Sequence, residues 1–100
     1  MSEAVVSLDQ QGVMQVSGDL VFANVTALLG QIERQLDSAE RMLIDLSGVR
    51  DVDSSGLALL LEVMEVARRR SISLRFRGLS ESLLGIARLS NVDQLLPLEE

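Results

Sequence analysis

Between Arg41 and Phe76 the apolar pattern changes its period twice, and that change excludes most architectures. Arg41–Leu46 is short and apolar enough to be a buried strand, with Asp45 set inside it. From Ser55 to Arg70 the apolar residues return at helical spacing, and Ile72–Phe76 reads as a strand again. Strand, helix and strand in this order predict a β-α-β unit with parallel strands and a right-handed crossover.

The rest of the chain is built around that unit. Ala4–Leu8 and Val13–Val16 are β-like, and Asp9-Gln10-Gln11-Gly12 between them reads as a hairpin turn. Ser17-Gly18-Asp19-Leu20 breaks the second strand. Phe22, Val25, Leu28, Leu29, Ile32 and Leu36 then predict a helix ending near Leu36, followed by a loop over Asp37–Glu40. After the Arg77-Gly78-Leu79 turn a third helix is expected over Glu81–Leu89, with Ser80 as its N-cap. The tail from Asn91 to Glu100 carries the only proline, Pro97, and is expected to hold a short turn before fraying. The order β-β-α-β-α-β-α predicts an α/β fold: a mixed sheet with an antiparallel hairpin at one side and helices packed on one face. No linker interrupts the pattern, so residues 1–100 are read as one domain.

Composition removes several classes of chemistry. The chain has no Cys and no His, which leaves no thiolate, imidazole base or disulfide, and disfavours zinc. A net charge of −6 argues against nucleic acid, whose phosphates need a basic surface. The start Met1-Ser2-Glu3-Ala4 lacks the basic and apolar character of a signal peptide, and no run approaches the roughly 18 apolar residues of a membrane span. The expectation is a soluble cytoplasmic protein with no membrane insertion, cofactor or metal. Asp45, Asp51 and Asp53 lie close in sequence, and paired carboxylates can perform acid–base work or hold Mg²⁺. Yet Ser54 and Ser55 have no His or Lys to activate them, so no catalytic role is expected.

Asp53-Ser54-Ser55-Gly56 stands at the strand-to-helix junction and places two hydroxyls at a helix N-terminus, where unpaired N–H groups and the macrodipole favour negative charge. Asp53 or Ser54 serves there as N-cap. A glycine costs about 1 kcal/mol against alanine inside a helix, and capping alone does not explain it, so the motif reads as a contact site. On the following helix Leu57, Leu60, Leu61, Met64 and Ala67 share one arc, expected to face the sheet. Leu59, Val63 and Val66 fall nearly opposite, with Ala58, Glu62, Glu65 and Arg69 between the two arcs. Two readings of Leu59, Val63 and Val66 stand: burial under neighbouring helices, or an exposed protein-binding patch. Arg68, Arg69 and Arg70 complement the C-terminal dipole.

Ile44-Asp45-Leu46-Ser47-Gly48-Val49 followed by Asp51-Val52-Asp53-Ser54-Ser55-Gly56-Leu57 resembles the signature of STAS domains, the family of anti-sigma factor antagonists and sulfate-transporter tails. Gly18-Asp19-Leu20 is similar to that family's Gly-Glu-Leu at the end of the second strand, and the likeness runs from about Met14 to Leu96. The stretches Gly56–Leu61, Ala87–Asn91 and Leu96-Pro97 further resemble the small STAS subunits of phospholipid-transport ABC systems in Gram-negative bacteria, whereas Ser54-Ser55 is the antagonists' spelling. The resemblance implies a non-catalytic subunit that binds the transporter's cytoplasmic ATPase within a complex of permease and substrate-binding subunits, peripheral to the inner membrane. The implied contact residues are Asp53, Ser54, Ser55, Gly56, Leu59, Glu62 and Val63. In the alternative, Ser54 is the phosphorylation site of an anti-sigma factor antagonist.

Overall fold

The computed structural model describes residues 4–99. Strands β1 (Val5–Leu8), β2 (Met14–Leu20), β3 (Arg41–Val52) and β4 (Ser73–Arg77) form one sheet in the order β1-β2-β3-β4. β1 and β2 make an antiparallel hairpin at one edge, while β2/β3 and β3/β4 are parallel. Helix α1 (Phe22–Gln35) joins β2 to β3, α2 (Ser54–Arg69) joins β3 to β4, and α3 (Glu81–Leu89) follows β4. The expected mixed sheet, edge hairpin and β-α-β unit are all present.

Alternation along the strands decides which face is covered. Met14, Val16 and Leu20 of β2, Met42, Ile44 and Leu46 of β3, and Leu74 and Phe76 of β4 are buried. They pack with Leu28, Ile32 and Leu36 after and within α1 and with Leu83 and Ala87 of α3. The intervening residues Ser17, Arg41, Ser73 and Arg75 are exposed on the other face.

Three boundaries differ from the sequence reading. β2 does not break at Ser17 but continues to Leu20, with irregularities in its pairing to β3 between Gln15 and Ser17 and between Gly18 and Leu20. Gly18 takes φ +96°, a conformation that only glycine adopts without strain. β3 likewise runs past Leu46 to Val52, because Ser17, Gly18 and Leu20 pair with Gly48, Val49 and Val52. Backbone hydrogen bonds hold this extension, and its side chains are largely exposed, so no apolar alternation announces it. The tail, expected to fray, is anchored. After a 3-10 turn at Asp93–Leu95, Leu96 is buried, the Phe76 N–H donates to the Pro97 carbonyl at 2.8 Å, and the Glu99 N–H donates to the Phe76 carbonyl at 2.8 Å.

Candidate functional site

The junction between β3 and α2 is organised by Asp53. Its Oδ1 accepts the Ser55 N–H at 2.8 Å and so N-caps α2, resolving the choice between Asp53 and Ser54. Its Oδ2 accepts the Phe22 N–H at 3.2 Å, across 31 residues of sequence. The N-cap position of α1 is Val21, whose side chain cannot cap, so one carboxylate serves the starts of both helices. The Asp53 N–H meanwhile donates to the Leu20 carbonyl at 3.2 Å, tying the junction to the end of β2. Partial burial pushes the Asp53 carboxyl up, but the N–H groups of Phe22 and Ser55 outweigh it and hold the group below its ordinary range.

With both helix starts joined, α1 and α2 lie side by side and leave a shallow groove of about 330 Å³. Phe22, Val25, Thr26 and Leu29 of α1 line it, facing Ser55, Ala58, Leu59 and Glu62 of α2. At its head Phe22 is 79% exposed and Ser54 is exposed. A large aromatic ring in water beside an apolar groove is the surface expected of a docking site, where aromatic anchors supply most of the binding energy. Sequence reasoning missed Phe22 because its spacing to Val25 and Leu29 matches a core stripe.

A family model described as Mlab, STAS domain, matches residues 3–97. The chain belongs to the STAS family. Among its relatives is the intermembrane phospholipid transport system binding protein MlaB of Escherichia coli K12, 29% identical over 93 residues that cover 92% of this chain and 93% of that protein. MlaB of Shigella flexneri matches to the same extent. Among solved structures, an anti-sigma factor antagonist from Mycobacterium paratuberculosis superposes with a TM-score of 0.74 at 23% identity, covering 98% of this chain and 85% of that one. The unphosphorylated antagonist SpoIIAA gives 0.72 at 13% identity over 97% and 88%. At these identities the structures speak for the fold.

In this STAS domain the residues expected to act together fall into two groups. Asp53, Ser54, Ser55 and Glu62 lie at the groove or its head, and Leu59 forms part of its wall. Leu59 and Val63 do not form an exposed patch: they are 4% and 0% exposed, and Val66 is 1% exposed. The physical reason is the breadth of the α2 contact. Gly56, Leu60, Val63 and Ala67 form its centre, flanked by Leu57 on one side and Leu59 and Val66 on the other. At about 100° per residue this buried arc spans half the helix circumference. Leu61 and Met64, expected to face the sheet, lie at its margin and are only half-buried. Gly56 belongs to the packing as well. A Cβ there would sit 2.8 Å from the Leu20 carbonyl oxygen, so the backbone it admits is that of β2 within the chain.

The three neighbouring carboxylates are not brought together. Asp45 turns to β4, where its Oδ2 accepts Arg77 Nε at 3.1 Å and its Oδ1 accepts the Ser47 N–H at 2.8 Å. Asp53 is committed to capping, and Asp51 is exposed on the β3 extension. Among the described residues no cluster of His, Cys, Asp or Glu is arranged to hold a metal ion. No helix among them is long and apolar enough to cross a membrane. At the far end of α2, Arg68 pairs with Glu65, and Arg70 reaches Glu33 at 3.6 Å.

Proposed function

We infer that this STAS domain is the MlaB-like subunit of an Mla-type phospholipid-transport ABC system and that it docks on the system's MlaF-like ATPase. The likeness to MlaB along nearly the full length of both proteins carries this reading. The exposed Phe22 at the head of an apolar groove supports docking at the start of α1 and α2. Phe22 is the anchor, Val25 and Leu29 form the apolar floor, Ser54 and Ser55 supply hydroxyl hydrogen bonds, and Glu62 favours a basic group on the partner. The subunit does no chemistry of its own. It acts by binding one ATPase conformation more tightly than another, the only way a bound partner shifts an equilibrium. The transporter complex, with its permease and substrate-binding subunits, holds it at the cytoplasmic side of the inner membrane and serves outer-membrane lipid asymmetry.

Affinity purification of the tagged protein from its native host tests the reading. An ABC-type ATPase with its permease is expected in the eluate. Recovery of an anti-sigma kinase without an ATPase overturns it.

One observation favours a second reading. Ser54 is exposed, follows Asp53 directly and opens α2, a position where the helix terminus accommodates a phosphoryl group. In that reading the chain is an anti-sigma factor antagonist switched at Ser54. Intact-mass spectrometry of protein from growing cells separates the two. The transporter reading expects the unmodified mass, and a substantial species heavier by about 80 Da, the mass of one phosphoryl group, mapped to Ser54, establishes the antagonist.

A further inference from the structure

The groove between α1 and α2 has two walls of the same form. Each helix connects two neighbouring parallel strands, so α1 and α2 run in the same direction. Phe22, Val25 and Leu29 on α1 stand at i, i+3 and i+7, and Ser55, Leu59 and Glu62 on α2 at i, i+4 and i+7. Each wall is thus two helical turns, or about 10 Å, long. Beyond the first turn its backbone groups are committed within the helix, so an extended segment would find no ladder to join. An amphipathic helix, whose own apolar stripe repeats at the same spacing, matches the groove turn for turn.

Charge selects what that helix carries. Glu62 is the only ionisable side chain lining the groove; it is exposed and forms no ion pair among the described residues. At the head Asp19 and Asp51 lie side by side, the Asp51 N–H donating to Asp19 Oδ1 at 3.3 Å, and Asp51 is exposed. The segments that build the groove and its head, residues 19–29 and 50–62, hold four carboxylates against one arginine, Arg50. Both ends of the groove therefore attract a base on the occupant and repel an acid. Direction follows from the helix starts, which Asp53 holds together at the head. Two positive helix ends there favour the carbonyl-bearing C-terminal end of an incoming helix. Lys and Arg suit the last turn of such a helix, where they also meet Asp51.

We propose that the groove seats a basic amphipathic α-helix of the ATPase, antiparallel to α1 and α2. One Lys or Arg of that helix is set against Glu62, and its C-terminal turn lies over Ser54 beside Asp51. Its apolar stripe rests on Val25, Leu29 and Leu59, and Phe22 closes over it at the head. The inference rests on the docking reading above and adds to it the form, direction and charge of what docks.

Two measurements on the complex with the host's ABC-type ATPase test it. In the first, calorimetry compares the native chain with Glu62→Gln and Glu62→Arg. Charge reversal is expected to raise Kd about tenfold or more and the neutral variant by less. Both effects should shrink as salt rises from about 0.05 M to about 0.5 M. Glu62 is exposed, so the free variants should melt as the native chain does. The second measurement reads form and direction. The chain contains no Cys, so Ser54→Cys and Glu62→Cys each offer one thiol for a photo-crosslinker. Both are expected to mark a single helix of the ATPase that carries Lys or Arg, Ser54→Cys about two turns nearer its C-terminus than Glu62→Cys. Tight binding with Kd unchanged in Glu62→Arg, crosslinks to a strand, a loop or an acidic segment, or the opposite order along the helix overturns this inference and leaves the ATPase reading standing. No binding by the native chain overturns both.

Discussion

The first turn of α2 and its middle lie on one helix yet belong to different parts of the molecule. At the first turn, Ser54 is exposed, Ser55 borders the groove, and Asp53 anchors both helix starts through backbone N–H groups. Two turns later, Val63 has no exposed surface. The family resemblance groups Ser54, Leu59 and Val63 as one contact surface, and the structure buries Val63 away from the groove that Ser55 and Leu59 line. The proposed docking surface is therefore not a stripe along α2. It runs across the helices, from Ser54 and Ser55 to Phe22 on α1, and it depends on the carboxylate that holds the two starts together.

The sharpest way to break this division is at Val63. A charge there has no partner and no water, so Val63→Glu is expected to cost roughly 4 kcal/mol or more and leave the domain unfolded or nearly so. Circular dichroism melts of the isolated protein check this, and a normal melt would return Val63 to the surface. Gly56→Ala is next. If Gly56 admitted a partner's backbone, alanine would raise Tm, since it gains about 1 kcal/mol over glycine in a helix. Because the new methyl group meets Leu20, overpacking of about 1–3 kcal/mol opposes that gain, and the expected result is a lower Tm. Asp53→Ala removes an acceptor shared by two helices and should lower Tm by several degrees, whereas Asp53→Asn keeps part of the capping.

The pH response sharpens the same point more gently. Asp53 and Asp45 are held below the ordinary carboxylate value of 3.8, each by hydrogen bonds that outweigh desolvation. For a depressed carboxylate the unfolded chain takes up the proton first. The stabilisation is thus present above about pH 4 and is lost as pH falls through the native values. Chemical denaturation between pH 3 and pH 7, where carboxylates titrate, should show stability falling at the acid end. A smaller fall in Asp53→Asn would assign part of it to the junction.

Much of the fold was legible because period carries it. The change from strand to helix to strand between Arg41 and Phe76 fixed the parallel unit, and Ser80 capped α3 as expected, accepting the Leu83 N–H at 3.1 Å. The extensions of β2 and β3 were not legible, since backbone pairing through Gly18 and Gly48 holds them with no apolar alternation to mark it. Nor could any local pattern show Asp53 capping a helix that starts 31 residues earlier. The motif was found at the right place, but its lining from α1 was hidden: Phe22 obeys the same spacing as the buried Leu28 and Ile32 family of positions while facing water.

The central claim is that Phe22 and the serine turn form the surface on which the ATPase docks. Titration calorimetry of the purified domain with the ABC-type ATPase encoded in the same host, comparing the native chain with Phe22→Ala, tests it most directly. Phe22 is 79% exposed, so its removal should change stability by no more than about 0.5 kcal/mol, while loss of an aromatic anchor should cost about 2 kcal/mol of binding, roughly a thirtyfold rise in Kd. Unchanged affinity with Phe22→Ala, alongside tight binding by the native chain, would place the interface elsewhere and contradict the account.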